Sequence, residues 1–454
     1  PKDSDSGTTK YETPYQSTGA RGVNNLAAKL SLALLPPNSP FFRLSPAEEL
    51  VAEIEKNEDM KQKISTALRK REFQVMRHID STQIRVTIWE ALKQLIVAGN
   101  ALLYLPKDKK GIKLYKLHSY VLQRDAFGTV LQIVTLETIA FSALPEGLQA
   151  MVSGGQQKKP EDPIEVYTHT YLEGDFYLSY QEVEGQVVKG TENTYPKERS
   201  PWIPARMIKM DGEHYGRSYV EEYLGDLKSL EQLSQAIIDL ASIAASVRFL
   251  VNPSGMTRVK KVTDAKNGDF VAGRLDDIGV LQLNKYADLQ VAKSTADDIK
   301  ANLTFAFLVN SAVQRNGERV TAEEIRYVAG ELEDTLGGVY SILSQELQLP
   351  LVRCLLSQLE ASGTLTEIPE GLLEEPQITT GMEALGRGQD LSKLEYFLKI
   401  AVEASQAKDV TGLKMNNFMS RVADGLNLDE EGLIKSDEEI MAEQERSMQM
   451  QMAL

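Results

Sequence analysis

Between Tyr219 and Val247 the chain runs without a proline and keeps Val220, Leu224, Leu227, Ile237, Ala241 and Ala244 on one side of a helical repeat. Ser218, with Glu221 three positions on, supplies a capping box at its start. About 29 residues of helix would be about 43 Å long, against a mean of about 11–12 residues in globular proteins. Residues 248–291 then form a compact insertion. A second helix is expected over 292–311, and a polar break, AVQRNGERV, fills 312–320. A third helical run, opened by Thr321 with Glu324, reaches 361. An insertion of about 40 residues cannot cover a helix of that length. The apolar stripe needs other cover: neighbouring copies of the same chain, or a long internal bundle. Patterning alone does not choose between them.

The third run repeats Ile325, Val328, Leu332, Leu336, Val339, Leu343 and Leu347 at spacings of three and four. Gly337, Gly338 and Pro350 interrupt it and predict a kink. If the two glycines are helical, alanine in their place would raise helix propensity by about 1 kcal/mol per residue.

Upstream, residues 1–20 read as an irregular arm. VNNLAAKLSLALL follows as a helix, with Val23, Leu26, Leu30 and Leu34 on one face, and Pro36 and Pro37 stop it. Residues 46–76 are charged and helical. Residues 81–98 form an amphipathic helix on Ile84, Ile88, Leu92 and Ile96, ended by Gly99. From residue 101 the period falls to two: ALLYLP, KLYKLHSYV, VLQIVTLETI, EVYTHTYL, FYLSYQEVEG and QVVKG read as strands of a small α+β domain over roughly 100–210. Inside the insertion, VKKV, DFVAG and GVLQL are expected as strands. Residues 390–406 and the acidic end are expected as helix.

Composition narrows the function. Asp plus Glu number 65 against 50 Lys plus Arg, a net charge of −15, so the chain does not advertise a tight, sequence-independent grip on nucleic acid. One cysteine, Cys354, allows no disulfide within the chain and sits in an apolar run as a core thiol. There is no GxxxxGK[ST] phosphate loop, no HExxH and no GxSxG elbow, and the four histidines are scattered. No run of 18 apolar residues points to a membrane span. The chain is not expected to be an enzyme, to carry a cofactor or metal, or to contact a membrane.

Several long strings carry a resemblance: VNNLAAKL at 23–30, ALKQLIVAGNALLYLP at 91–106, QRDAFG at 123–128, DGEHYGRSYVEEYLGDLKSLE at 211–231, NSAVQRNGERVTAEEIRYVAGELEDTLGGVYSILSQELQLPL at 310–351 and LGRGQDL at 385–391. Through them the chain resembles, over essentially its full length, the portal or head-tail connector family of T7-like short-tailed bacteriophages. The resemblance implies an α+β portal fold, with an α/β wing, a long-helix stem, a small α/β clip and a short helical crown. On it, 1–210 is the N-terminal part of the wing, 211–247 the entry and first stem helix, and 248–291 the clip. The second stem helix is then 292–311, the channel loop 312–320, the long kinked helix 321–361, the wing return 362–405 and the crown 406–454.

It further implies a homo-oligomeric ring, usually of about twelve subunits, at the portal vertex of the virion and assembled in the bacterial cytoplasm. Double-stranded DNA passes through such a ring during packaging and ejection without being read for sequence. The implied protein partners are the terminase motor, scaffolding and major capsid proteins, a tail adaptor and internal core proteins. A non-portal adaptor or scaffold of a virus particle is the alternative. The expected DNA-facing loop residues are Gln314, Arg315, Asn316 and Arg319. Candidate channel-wall carboxylates are Glu221, Glu222, Asp226, Glu231 and Asp239, which face one lysine, Lys228, in the same helix. Arg248, Arg258, Lys260, Lys261 and Lys266 are candidates for the clip's protein interface. Gly337 and Gly338 mark the kink.

Overall fold

The computed structural model describes residues 13–37, 40–45, 58–106, 111–144, 148–149, 152, 159–245, 248–281, 286–309, 322–336, 338–365 and 377–380. The chain divides into two compact units, Pro1–Leu26 with Val220–Ala312, and Ala27–Tyr219 with Val313–Leu454. The crown and most of the wing return expected from the sequence lie outside the described residues, as does the loop expected over 312–320.

Helix α1 (Thr18–Leu34) begins inside the stretch read as an irregular arm. The larger unit takes its second half, with Leu30 and Leu34 buried. Strand β1 (Phe42–Ser45) and helices α2 (Glu58–Ser81) and α3 (Ile84–Ala98) follow. Ile84, Ile88, Leu92 and Ile96 are all buried, and Gly99 ends α3 at φ 74°, donating its N–H to Leu95 O. A Cβ at Gly99 would sit 2.5 Å from the Arg217 carbonyl carbon, so close backbone approach and left-handed geometry both require glycine there.

Two antiparallel sheets come next. Strands β2 (Asn100–Tyr104), β3 (Lys113–Tyr115) and β10 (Trp202–Arg206) align in the order β10-β2-β3. Strands β4 (Tyr120–Arg124), β5 (Val130–Ala140), β6 (Pro163–Glu173), β7 (Phe176–Val183) and β8 (Gln186–Val187) form a meander, with β9 (Asn193–Pro196) also paired to β7. Leu102, Tyr115, Tyr120, Leu122, Ile133 and Trp202 pack as one core cluster between these sheets. Leu144, Val152, Ile164, Val166, Val183 and Val188 form another on the same meander.

In the smaller unit the run expected as one helix is two: α4 (Tyr219–Glu222) and α5 (Leu224–Ala245). The insertion contributes β11 (Arg248–Val251), α6 (Val259–Thr263) and β12 (Ile278–Leu281), with β11 and β12 antiparallel. VKKV is thus one turn of helix and not a strand, and among the described residues DFVAG joins no strand pair. A β-branched tetrapeptide needs a neighbouring strand to act on its preference, and β12 pairs with β11 alone. Helix α7 (Tyr286–Ala306) begins six residues earlier than expected, and helical structure stops at Ala306, short of the expected 311.

The chain then re-enters the larger unit with α8 (Ala322–Leu336), α9 (Val339–Leu343), a π turn (Ser344–Gln348) and α10 (Leu349–Ala361). The interruption expected in this run is present at Gly338, whose φ of 89° is left-handed. The π turn precedes Pro350: Leu349 donates to Ser344 O, five residues back, and Pro350 has no N–H to continue the ladder. Val328, Leu332, Leu336, Val339, Leu343 and Leu347 are all buried, as their spacing requires. Their helices also cap α1: Tyr340 Oη donates to Ala33 O (3.3 Å), and Gln348 Nε2 to Leu34 O (2.6 Å). Those carbonyls have no intrahelical donor at a C-terminus. Strand β13 (Gln377–Thr380) pairs antiparallel with β1.

The larger unit also buries charge. Glu346, carried by the π turn, accepts from Arg206 N (3.1 Å), Nε (3.1 Å) and Nη2. The Arg124 guanidinium donates to the carbonyls of His214 (3.2 Å), Gly128 (2.8 Å) and Pro204 (2.7 Å). Burial, and then the neighbouring Arg206, pulls Arg124 below the usual arginine range. Cys354 is buried, as its apolar run predicts, and its thiol donates to Ser200 O (2.8 Å).

Candidate functional site in the helix pair

Helices α5 and α7 pack on each other. Leu230 on α5 and Ala296, Leu303 and Ala306 on α7 are buried. The stripe read from the sequence is not: Val220, Leu227 and Ile237 are half-buried, and Leu224 and Ala241 are exposed. Ile238 and Ile243 on α5 are also exposed, as are Val291 (67%) and Phe305 (76%) on α7. Two helices of this length, bare over so much apolar surface, are incomplete as a monomer.

The base of the pair is tied down by the N-terminal segment, a contact the sequence reading missed. Phe307 is fully buried, and a Cβ at Gly22 would lie 2.6 Å from its ring. Asn25 Nδ2 donates to Phe307 O (3.1 Å) and Leu308 O (2.9 Å). Leu308 is left-handed at φ 54°, so the Asn25 amide caps the end of α7 where glycine would normally sit. Tyr15 N donates to Glu231 Oε1 (2.6 Å). Gly22, immediately before VNNLAAKL, and Asn25 within it, one helical turn apart, were the available signal.

Of the candidate wall carboxylates, Glu221, Glu222, Asp226 and Asp239 are exposed, as is Lys228. Glu231 is half-buried and occupied by Tyr15. In the insertion, Arg258, Lys260, Lys261 and Lys266 are exposed, and Arg248 opens β11. The lysines at 260 and 261 belong to the single turn α6. Gln314, Arg315, Asn316, Arg319 and Gly337 lie outside the described residues.

The insertion is held by a polar staple in place of a core. Asp277 is buried and accepts from Thr257 N (3.0 Å) and Thr257 Oγ1 (2.7 Å). Thr257 Oγ1 in turn accepts from Arg274 N (2.8 Å), and the Asp277 carbonyl takes Asn252 N (2.9 Å). Hydrogen bonding by Thr257 holds the Asp277 carboxyl below the usual aspartate range. A Cβ at Gly255 would lie 2.6 Å from that carboxyl, so the turn closes only on glycine. Around the staple, Phe249, Leu250, Met256, Phe270 and Leu275 (97%) face outward.

Among the described residues no group of His, Cys, Asp and Glu is arranged to hold a metal ion, and no helix is long and apolar enough to cross a membrane. A family model described as bacteriophage head to tail connecting protein matches residues 2–434. The chain belongs to this family. It is 52% identical over 460 residues to the portal protein of Escherichia phage T7, covering 100% of this chain and 85% of that one. To the portal protein of Enterobacteria phage T3 it is 51% identical over 449 residues, covering 97% and 83%. Among solved structures, a chain of the virion of a native gene transfer agent particle aligns over 85% of this chain and 86% of its own, at 11% identity and a TM-score of 0.37. Membership in the connector family fits an α+β chain with long helices, small sheets and no catalytic motif.

Proposed function

We propose that this chain is the portal subunit of a short-tailed bacteriophage. In this reading copies close into a ring of about twelve, through which double-stranded DNA is packaged into the capsid and later ejected. The observation that carries the reading is the pair α5 and α7: its apolar surface stays exposed in the single chain, in a protein that belongs to the connector family along nearly its whole length. Neighbouring copies supply the missing cover, and a ring lets each helix pair meet the next without leaving an unpaired end.

In the ring, Glu221, Glu222, Asp226 and Asp239 would present carboxylates to the duplex. Like charge keeps the phosphates from settling on the wall. Arg315 and Arg319, with Gln314 and Asn316, would form a weak collar of phosphate donors that centres or brakes the duplex. The insertion, with Arg258, Lys260, Lys261 and Lys266, faces the terminase motor and afterwards the tail adaptor. Scaffolding and major capsid proteins and the internal core meet the larger unit. Assembly takes place in the host cytoplasm.

Native mass measurement of the purified chain tests the ring: a closed assembly near twelve copies is expected, and a stable monomer at every concentration overturns it. The collar has its own test. With Arg315→Gln and Arg319→Gln combined, rings should form normally, while the genome length retained in particles should change at low salt and become less salt-dependent than in wild type. Unchanged retention across the salt series removes the collar and leaves the ring standing.

A further inference from the structure

We infer that the outer face of the β4–β8 meander is a docking surface for a lysine- and arginine-bearing segment of a partner protein. Antiparallel register places Val121, Val134, His169 and Tyr180 in one row across four strands. The opposite face of the same strands is core, with Val166 and Val183 buried. A sheet face left to water is normally polar. This one is aromatic: the His169 and Tyr180 rings stack at 4.9 Å and 5°, and Tyr171 meets Tyr180 edge-on at 6.4 Å.

Carboxylates are set among these rings. Glu165 accepts from Tyr167 Oη at 2.9 Å, and Glu182 Oε2 lies 3.3 Å from His169 Nε2. From position 159 to 193 the chain carries eight acidic residues against two lysines. Ring faces with carboxylates beside them offer a guanidinium or ammonium both a cation–π contact and an ion pair. The sign of the charge excludes DNA as the occupant. It also disfavours a second copy, since each copy carries a net charge of −15. A basic protein segment satisfies the rings and the carboxylates together.

A fluorescein-labelled peptide of alternating arginine and leucine is the probe, titrated by anisotropy against the full-length chain. Saturable binding is expected. Tyr180→Ala and Glu182→Gln should each weaken it roughly three- to tenfold. Val121→Lys, at a largely exposed site, adds a like charge to the edge of the row, so it should weaken binding too while leaving the circular dichroism spectrum unchanged. The combined Asp297→Asn and Asp298→Asn variant, at two exposed positions on α7, changes more charge on the other unit and should bind as wild type does. If that variant loses as much affinity as Glu182→Gln, attraction is bulk charge and the inference fails. It fails equally if the probe binds the monomer but is excluded from assembled rings, since the occupant is then a second copy.

Discussion

The two units solve folding in opposite ways. In the larger one, apolar side chains go inward on schedule, and its buried charges are enclosed by specific partners, as with Glu346 on Arg206. In the smaller one, polar groups do much of the holding, through Asp277 in the insertion and Asn25 at the end of α7, while Phe305, Phe270 and Leu275 point outward. The first arrangement completes its core from its own chain. The second keeps its hydrophobic surface for something that arrives later, and only the backbone turns that aim the surface are fixed in advance.

The sharpest attack on this contrast is Phe307→Ala. Phe307 is the largest fully buried side chain among the described residues of the smaller unit, so removing it should cost about 3–5 kcal/mol. Urea unfolding followed by hydrogen exchange should show the loss in α5 and α7, with β5 and β6 keeping their protection. Equal loss in both units would mean that they unfold together.

Asp277→Asn should be the next largest. Protection of amides from 249 to 281 should fall while α5 stays protected. The same staple has a pH signature. Because the folded carboxyl is held below its ordinary range, its contribution is full above the ordinary aspartate value of about 3.9. It then declines as pH drops through the lower, folded value. Wild type should lose protection there in acid, and Asp277→Asn should show no such step.

Gly338→Ala comes third. Helix propensity alone would give a gain; the left-handed φ of 89° reverses it, and the substitution should cost about 1–2 kcal/mol in the larger unit. Thermal denaturation gives the sign directly. Smallest in stability is Leu275→Ser, at an exposed site: within about 0.5 kcal/mol of wild type as a monomer, yet expected to lower the yield of rings in native mass spectra. Normal rings would show that the exposed residues of the insertion are not assembly contacts.

Local pattern made much of this architecture readable. The meander strands, the α3 face and the α8–α10 stripe all follow from periods of two and 3.6, because each buries one face within its own unit. The insertion defeated the same method. VKKV carries strand-forming valines but among the described residues has no strand to pair with and turns as helix, and at the start of α7 Asp288, Leu289, Gln290 and Val291 alternate polar and apolar as a strand would. Long-range polar pairings were out of reach altogether: Arg206 meets Glu346 across 140 positions, and Asn25 meets Leu308 across 283. At the candidate site the carboxylates of α5 could be enumerated from sequence, yet nothing local set Glu231, taken by Tyr15, apart from Asp239, which is exposed.

Cys354 turns the contrast into a clock. Burial pushes its thiol up to about 12, and it is the one cysteine in the chain. The thiolate is the form that alkylates, so at neutral pH a labelling reagent waits until the larger unit opens. The rate of iodoacetamide incorporation therefore times the opening of one unit while remaining blind to the other. Measured in free subunits and again after assembly, that single rate would show whether closing a ring through one unit slows the breathing of its neighbour.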